Sequence, residues 1–193
     1  GKKENVQNKT LKELKTLKTI NHKQEIPTLE QVYERYGNNI GFMIDIKDIK
    51  AADSVIQLIQ SGSNKKGICI SGRDIDTLNY MIDKLLYTEV CFNMTNNEQF
   101  TLQQLYDAKE KSDIPVNATM ISLSSKFMTQ EFIDKCKSLD IKPGIVSLGP
   151  EKEGEKKLRE WIANGIEFVL FDDPEYYKLY MNELNAENEM VYT

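Results

Sequence analysis

Residues 26–47 read Ile26-Pro-Thr-Leu-Glu-Gln-Val-Tyr-Glu-Arg-Tyr-Gly-Asn-Asn-Ile-Gly-Phe-Met-Ile-Asp-Ile-Lys47. Thr28 and Gln31 have the spacing of a capping box. Leu29, Val32, Tyr33 and Tyr36 follow at helical period, and Gly37 is expected to stop the helix in the left-handed region. An apolar strand, Ile40–Lys47, comes next and ends on an acid and a base two residues apart. Successive side chains of a strand take opposite faces, so Phe42, Ile44 and Ile46 share one face while Met43, Asp45 and Lys47 share the other. The wholly apolar face is the one that should meet helices, which leaves Asp45 and Lys47 on the opposite side at the C-terminal end of the strand.

Outward from this stretch the chain keeps alternating short β-rich runs with amphipathic helical patterns, as a parallel sheet with crossover helices requires. The expected strands are Ile40–Lys47, Gly67–Gly72, Glu89–Met94, Asn117–Leu123, Pro143–Leu148 and Ile166–Phe171. Between them, Thr101 with Gln104 repeats the capping box, and three apolar stripes mark helices: Leu78, Ile82 and Leu85; Phe132, Ile133 and Cys136; Leu158, Trp161 and Ile162, closed by Gly165. Tyr176, Tyr177 and Tyr180 after Pro174 suggest a final helix.

Six such units fit either an open doubly wound sheet or most of a (β/α)8 barrel. An open nucleotide-binding sheet should carry a glycine-rich phosphate loop after its first strand, and the turn after Ile46 reads Lys-Asp-Ile-Lys-Ala-Ala-Asp, without glycine. The barrel is therefore the expectation, with Asp45 and Lys47 at the strand end where barrel enzymes place their chemistry.

The totals restrict the function. Residues 1–193 suit a single domain, with 40% hydrophobic residues for its core. The formal charge of -5 is spread along the chain, with acids and bases interleaved, so nucleic acid is an unsuitable partner. No run approaches a membrane span, and the opening GKKENVQNKTLKELKTLK has no apolar signal core. The compartment stays open. Cys69, Cys91 and Cys136 are odd in number, far apart and without a CxxC, which suggests neither a disulfide framework nor a zinc site.

An isolated Asp-x-Lys is more often a rim salt bridge than a site. Here its context is informative: IPTLEQV, a helix, then an apolar strand ending in acid-x-Lys resembles the glycerophosphodiester phosphodiesterase family, in which the strand usually ends in Glu-x-Lys. The segment Lys9–Leu17 resembles that family's TLeELk segment, and Gly165–Pro174 resembles its closing strand. The resemblance spans residues 9 to 174 and implies a (β/α)8 barrel in which Ile40–Lys47 is the third strand. It also implies metal-dependent hydrolysis of glycerophosphodiesters to glycerol phosphate and an alcohol. Asp45 is then the candidate metal ligand, for magnesium or calcium, and Lys47 the candidate phosphate contact and catalytic residue.

Two family landmarks are missing: a first strand ending in His-Arg-Gly and a second ending in His-Asp. The one histidine, His22, lies in a polar loop. The resemblance thus implies a barrel of about six βα units without its first two strands. This chain alone should be inactive and hold no cation tightly, and it should pair either with itself or with a segment that supplies those strands. Asp45 stands where Glu is usual, one methylene shorter. Gly144-Ile-Val-Ser-Leu-Gly-Pro replaces an aromatic-rich substrate wall, and Ser71-Gly-Arg-Asp74 replaces Ser-Phe-(D/N), with Arg73 able to approach an anion. Asp172 and Asp173 close the last strand. The rival reading is a non-catalytic, barrel-derived binding or assembly module.

Overall fold

The computed structural model describes residues 6–19, 23–62, 67–86, 88–148 and 159–172. His22, Leu158, Asp173 and the tyrosine helix expected after Pro174 lie outside them. Two short helices, α1 (Leu11–Thr16) and α2 (Leu29–Tyr36), precede a repeating unit: β1 (Phe42–Ile46), α3 (Ala52–Ser61), β2 (Ile68–Gly72), α4 (Ile75–Lys84), β3 (Glu89–Asn93), α5 (Leu102–Asp107), β4 (Met120–Ser124), α6 (Gln130–Ser138) and β5 (Lys142–Leu148). A helical turn over 159–163 leads into β6 (Phe168–Phe171).

The capping boxes form as the sequence requires: the Thr28 and Thr101 hydroxyls accept from the backbone N–H of Gln31 and Gln104, whose side chains accept from the cap N–H in return. Thr10 and Glu13 make a third at the start of α1. The Lys15 ammonium donates to Gln31 Oε1 at 2.7 Å and so links α1 to α2.

All six strands are parallel and lie in the sheet in strict sequence order, β1 to β6. A doubly wound sheet reverses its strand order at a switch point, and this one does not. Its register also drifts: the first paired residue advances from Ile68 to Cys69 on β2, from Glu89 to Cys91 on β3 and from Lys142 to Gly144 on β5, while on β4 it stays at Met120. A stagger that averages about one residue per strand step is the shear that curls eight strands into a closed barrel. The six described strands accordingly form a curled half-barrel, in which β1 and β6 each have one neighbour among the described strands.

Ile44, Ile46, Ile70, Val90, Phe92, Ile121, Leu123 and Ile145 are buried against Ala52, Val55 and Ile56 of α3, Leu78 and Met81 of α4, Leu105 of α5, and Phe132, Ile133 and Cys136 of α6. The expected apolar face of Ile40–Lys47 is thus the helix-facing one. Four strands start later than the sequence suggests, because residues such as Ile40 and Asn117 are β-compatible but lie in the approach loops.

Gly37 is a correction. It is right-handed, with φ -57° and ψ -27°. The turn is closed instead by the Tyr36 carbonyl, which accepts from the N–H groups of both Asn39 and Ile40 at 2.8 and 3.1 Å. Gly165, expected to close the stripe before it, has a positive φ of +107°.

Candidate functional site

The one-residue stagger sorts the axis-facing side chains into layers drawn from alternate strands. At the N-terminal rim, Lys142 of β5 and Glu89 of β3 form an ion pair across β4 at 2.7 Å. Above it come Cys69, Met120 and Phe168 from the even strands, then Met43, Cys91 and Gly144 from the odd strands. Cys69, Cys91, Met120 and Phe168 pack together as an apolar cluster separate from the helix-side core. Gly144 has a steric reason to be glycine, since a Cβ there would lie 2.0 Å from the Phe168 ring.

The upper layers are polar on β1 to β4, while β5 and β6 bring Val146 and Leu170 to them by the same alternation. Ser71 and Ser122 come next, then Asp45 with Asn93, and Lys47 and Ser124 lie at the mouth. This distribution follows from the strand sequences themselves: in Met120-Ile-Ser-Leu-Ser124 every second residue faces the axis, and those are Met120, Ser122 and Ser124.

Asp45 and Lys47, the two residues selected from sequence, are brought together. The Lys47 ammonium makes an ion pair with Asp45 Oδ2, and the side chains are 72% and 42% exposed, so the pair lies open to solvent at the end of β1. The Asp45 charge also reaches across β2 to Cys91. That thiol is pushed up to about 11, chiefly by burial; hydrogen bonding with Ser122 and Ser71 opposes the shift, and the Asp45 carboxylate adds to it. Burial likewise pushes Cys69 up to about 12. Both are quiet thiols at neutral pH.

Arg73 is exposed beside the mouth, its carbonyl accepting from Asn97 Nδ2 at 2.7 Å. Asp74 is committed to the fold. It caps α4 by accepting from Thr77 N–H and Oγ1 at 2.8 and 2.5 Å, and these bonds hold its carboxyl below the usual range. Asp172 is exposed after β6. Asn93 Oδ1 accepts from Thr95 N–H at 3.0 Å, and Thr95 Oγ1 accepts from Ser124 N–H at 2.8 Å, which ties the β3 and β4 loops together below the mouth. Sequence reading passed over Asn93, Ser122 and Ser124. The usable signal was strand alternation, applied to β3 and β4 as it was to β1.

A magnesium or calcium ion takes about six or more oxygen ligands. Asp45 is the one carboxylate in its layer among the described strand residues, and it is engaged by a cation. No group of three His, Cys, Asp or Glu side chains suited to a metal comes together among the described residues. The described residues therefore do not by themselves fit such an ion.

No family model matches the sequence, and no curated protein matches it. Solved structures do match the fold. A glycerophosphodiester phosphodiesterase from Parabacteroides distasonis superposes with a TM-score of 0.70 at 21% identity, covering 93% of this chain and 74% of its own. An Oleispira antarctica phosphodiesterase, solved with the product sn-glycerol-3-phosphate, gives 0.62 at 13% identity, covering 81% and 62%. A glycerophosphodiester phosphodiesterase from Agrobacterium tumefaciens gives 0.58 at 12%, covering 78% and 61%. The class is a partial (β/α)8-type barrel, and the three solved structures named above that share it are phosphodiesterases, two of them glycerophosphodiester phosphodiesterases.

Proposed function

We propose that this chain is a glycerophosphodiester phosphodiesterase-type barrel whose contribution to the substrate site is the Asp45–Lys47 pair. The observation that carries the reading is the placement of that pair: axis-facing, open to solvent, and at the C-terminal end of a barrel strand whose other face is buried under helices. Lys47 contacts a phosphodiester oxygen as a point charge. Asp45 holds the ammonium toward the axis until an anion competes for it. Asn93 and Ser124 offer neutral hydrogen-bonding groups to the hydroxyls of a glycerol moiety.

The reaction proposed for a protein that completes the site is metal-dependent hydrolysis to glycerol phosphate and an alcohol. Such chemistry, as the resemblance frames it, uses two imidazoles and several carboxylate ligands. The sequence holds one histidine, so these 193 residues do not supply both. Alone they are proposed to bind glycerol phosphate without turning over a diester, and to show no micromolar affinity for magnesium or calcium. The rival binding or assembly module is favoured by one observation: Asp45 is paired with Lys47, and no further carboxylates gather beside it among the described residues to hold a metal.

Calorimetry with sn-glycerol-3-phosphate tests the binding step. Binding by the native chain and its loss in Lys47→Ala are expected, whereas equal binding by both would remove Lys47 from the site. Diester hydrolysis with magnesium or calcium, measured once a segment bearing the two histidines is supplied, separates enzyme from module. Binding without any turnover in that complex assigns the chain to the module.

A further inference from the structure

Two of the three cysteines and two of the seven methionines of this chain fall on one band of the barrel interior. Met43 of β1 is in direct register with Cys69 of β2, and Cys91 of β3 with Met120 of β4. The stagger puts Met43 and Cys91 in one layer and Cys69 and Met120 in the layer below, so the four sulfur side chains occupy adjacent layers of four consecutive strands. Barrel interiors are ordinarily filled by branched aliphatic side chains at this depth. Here Cys69, Cys91 and Met120 pack on one another and on Phe168, separately from the main core. Met43, at 36% exposure, stands outside that packed cluster on β1, which has one neighbour among the described strands.

We propose that this Met–Cys–Cys–Met band is a site for a soft monovalent cation of the copper(I) class, bound by the two cysteine sulfurs and one or both methionine thioethers. Thiolate and thioether donors favour such ions over the hard cations that oxygen ligands select. Binding exchanges protons for metal: two thiols release two protons, two metal–sulfur bonds form, and no change of oxidation state occurs. The complex carries one negative charge, and in the layer beneath the Glu89 carboxylate opposes a Cys69 thiolate while its ion-pair partner Lys142 favours it. The small, low-coordinate ion suits a site where Cys69, Cys91 and Met120 are buried and the half-buried Phe168 packs beside them.

The test is an anaerobic titration of the reduced full chain with copper(I) delivered from a chromophoric chelator. It is read by loss of the chelator complex, growth of the sulfur-to-copper ultraviolet band, and proton release. One ion per chain is expected. Cys69→Ser with Cys91→Ser should weaken binding about 100-fold or more, and Met43→Leu with Met120→Leu about tenfold. Cys136→Ser, on α6 outside the band, should leave binding unchanged. The Leu exchanges conserve volume, so they decide the matter if the serine pair does not fold. Binding that survives both pairs, or that falls equally with Cys136→Ser, would overturn the proposal.

Discussion

The two faces of the same six strands obey different rules. On the helix side, Ile44, Ile70, Phe92, Ile121 and Ile145 are interchangeable in kind, all large, apolar and buried. On the axis side the character changes along the axis: an ion pair, two layers that carry sulfur side chains with Phe168 in the lower one, hydroxyls, then Asp45 with Lys47 at the mouth. The outer face supplies most of the cohesion, and the inner face gives up part of that packing for polarity ordered along the axis. Function is therefore to be sought in the inner face, where residue identity changes layer by layer.

If that division is right, the largest stability effect belongs to the outer face. Phe132→Ala removes a fully buried ring from α6 and should lower unfolding free energy by about 3–5 kcal/mol in urea titrations. Ser122→Ala, equally buried on the inner face, should cost far less, because its hydroxyl accepts only a weak thiol hydrogen bond, 3.5 Å from Cys91 Sγ. Equal losses would erase the contrast.

Gly144→Ala sharpens it at one point of the inner face. The added methyl meets the Phe168 ring, so about 1–3 kcal/mol of destabilisation is expected. Phe168→Leu should recover part of it in a double-mutant cycle, and strict additivity would show that the ring does not lie over Gly144.

The buried inner thiols give a pH signature. Their folded pKa values, about 12 for Cys69 and about 11 for Cys91, lie above the reference of 9.0, so the folded state keeps protons that the unfolded chain has lost. Stability contributed this way is complete below pH 9 and declines as pH rises from there toward 12. Cys69→Ser with Cys91→Ser should flatten most of that decline, Cys136 accounting for the remainder because burial pushes it up to about 12 as well.

Much of the outer architecture was legible in sequence. Six strands, the Thr28 and Thr101 capping boxes and the stripes on α4 and α6 all rest on local periodicity or on hydrogen bonds between residues three apart. Gly37 was misread because a left-handed stop is the commonest use of glycine after a helix, while here the Tyr36 carbonyl extends the turn. The site was only half legible. Asp45 and Lys47 stand out because they share one strand, but the layers that join Asp45 to Asn93, or Cys91 to Met43, depend on register between strands, and register is set by barrel shear rather than by any one segment. Ser122 and Ser124 carry no motif at all, and only their placement beside β3 and β5 gives them a role.

Lys47→Ala should produce the smallest stability change, under about 1 kcal/mol, since an exposed ion pair contributes little. Its effect on ligand binding should be the most informative of all. The direct measurement is a structure of this chain with sn-glycerol-3-phosphate, solved for the native protein and for Lys47→Ala. The account predicts the phosphate on the Lys47 ammonium, above Asp45 and Asn93 on the axis side of β1, with no ligand there in the variant. A phosphate held elsewhere on the native chain, or retained at the same place without Lys47, would contradict it.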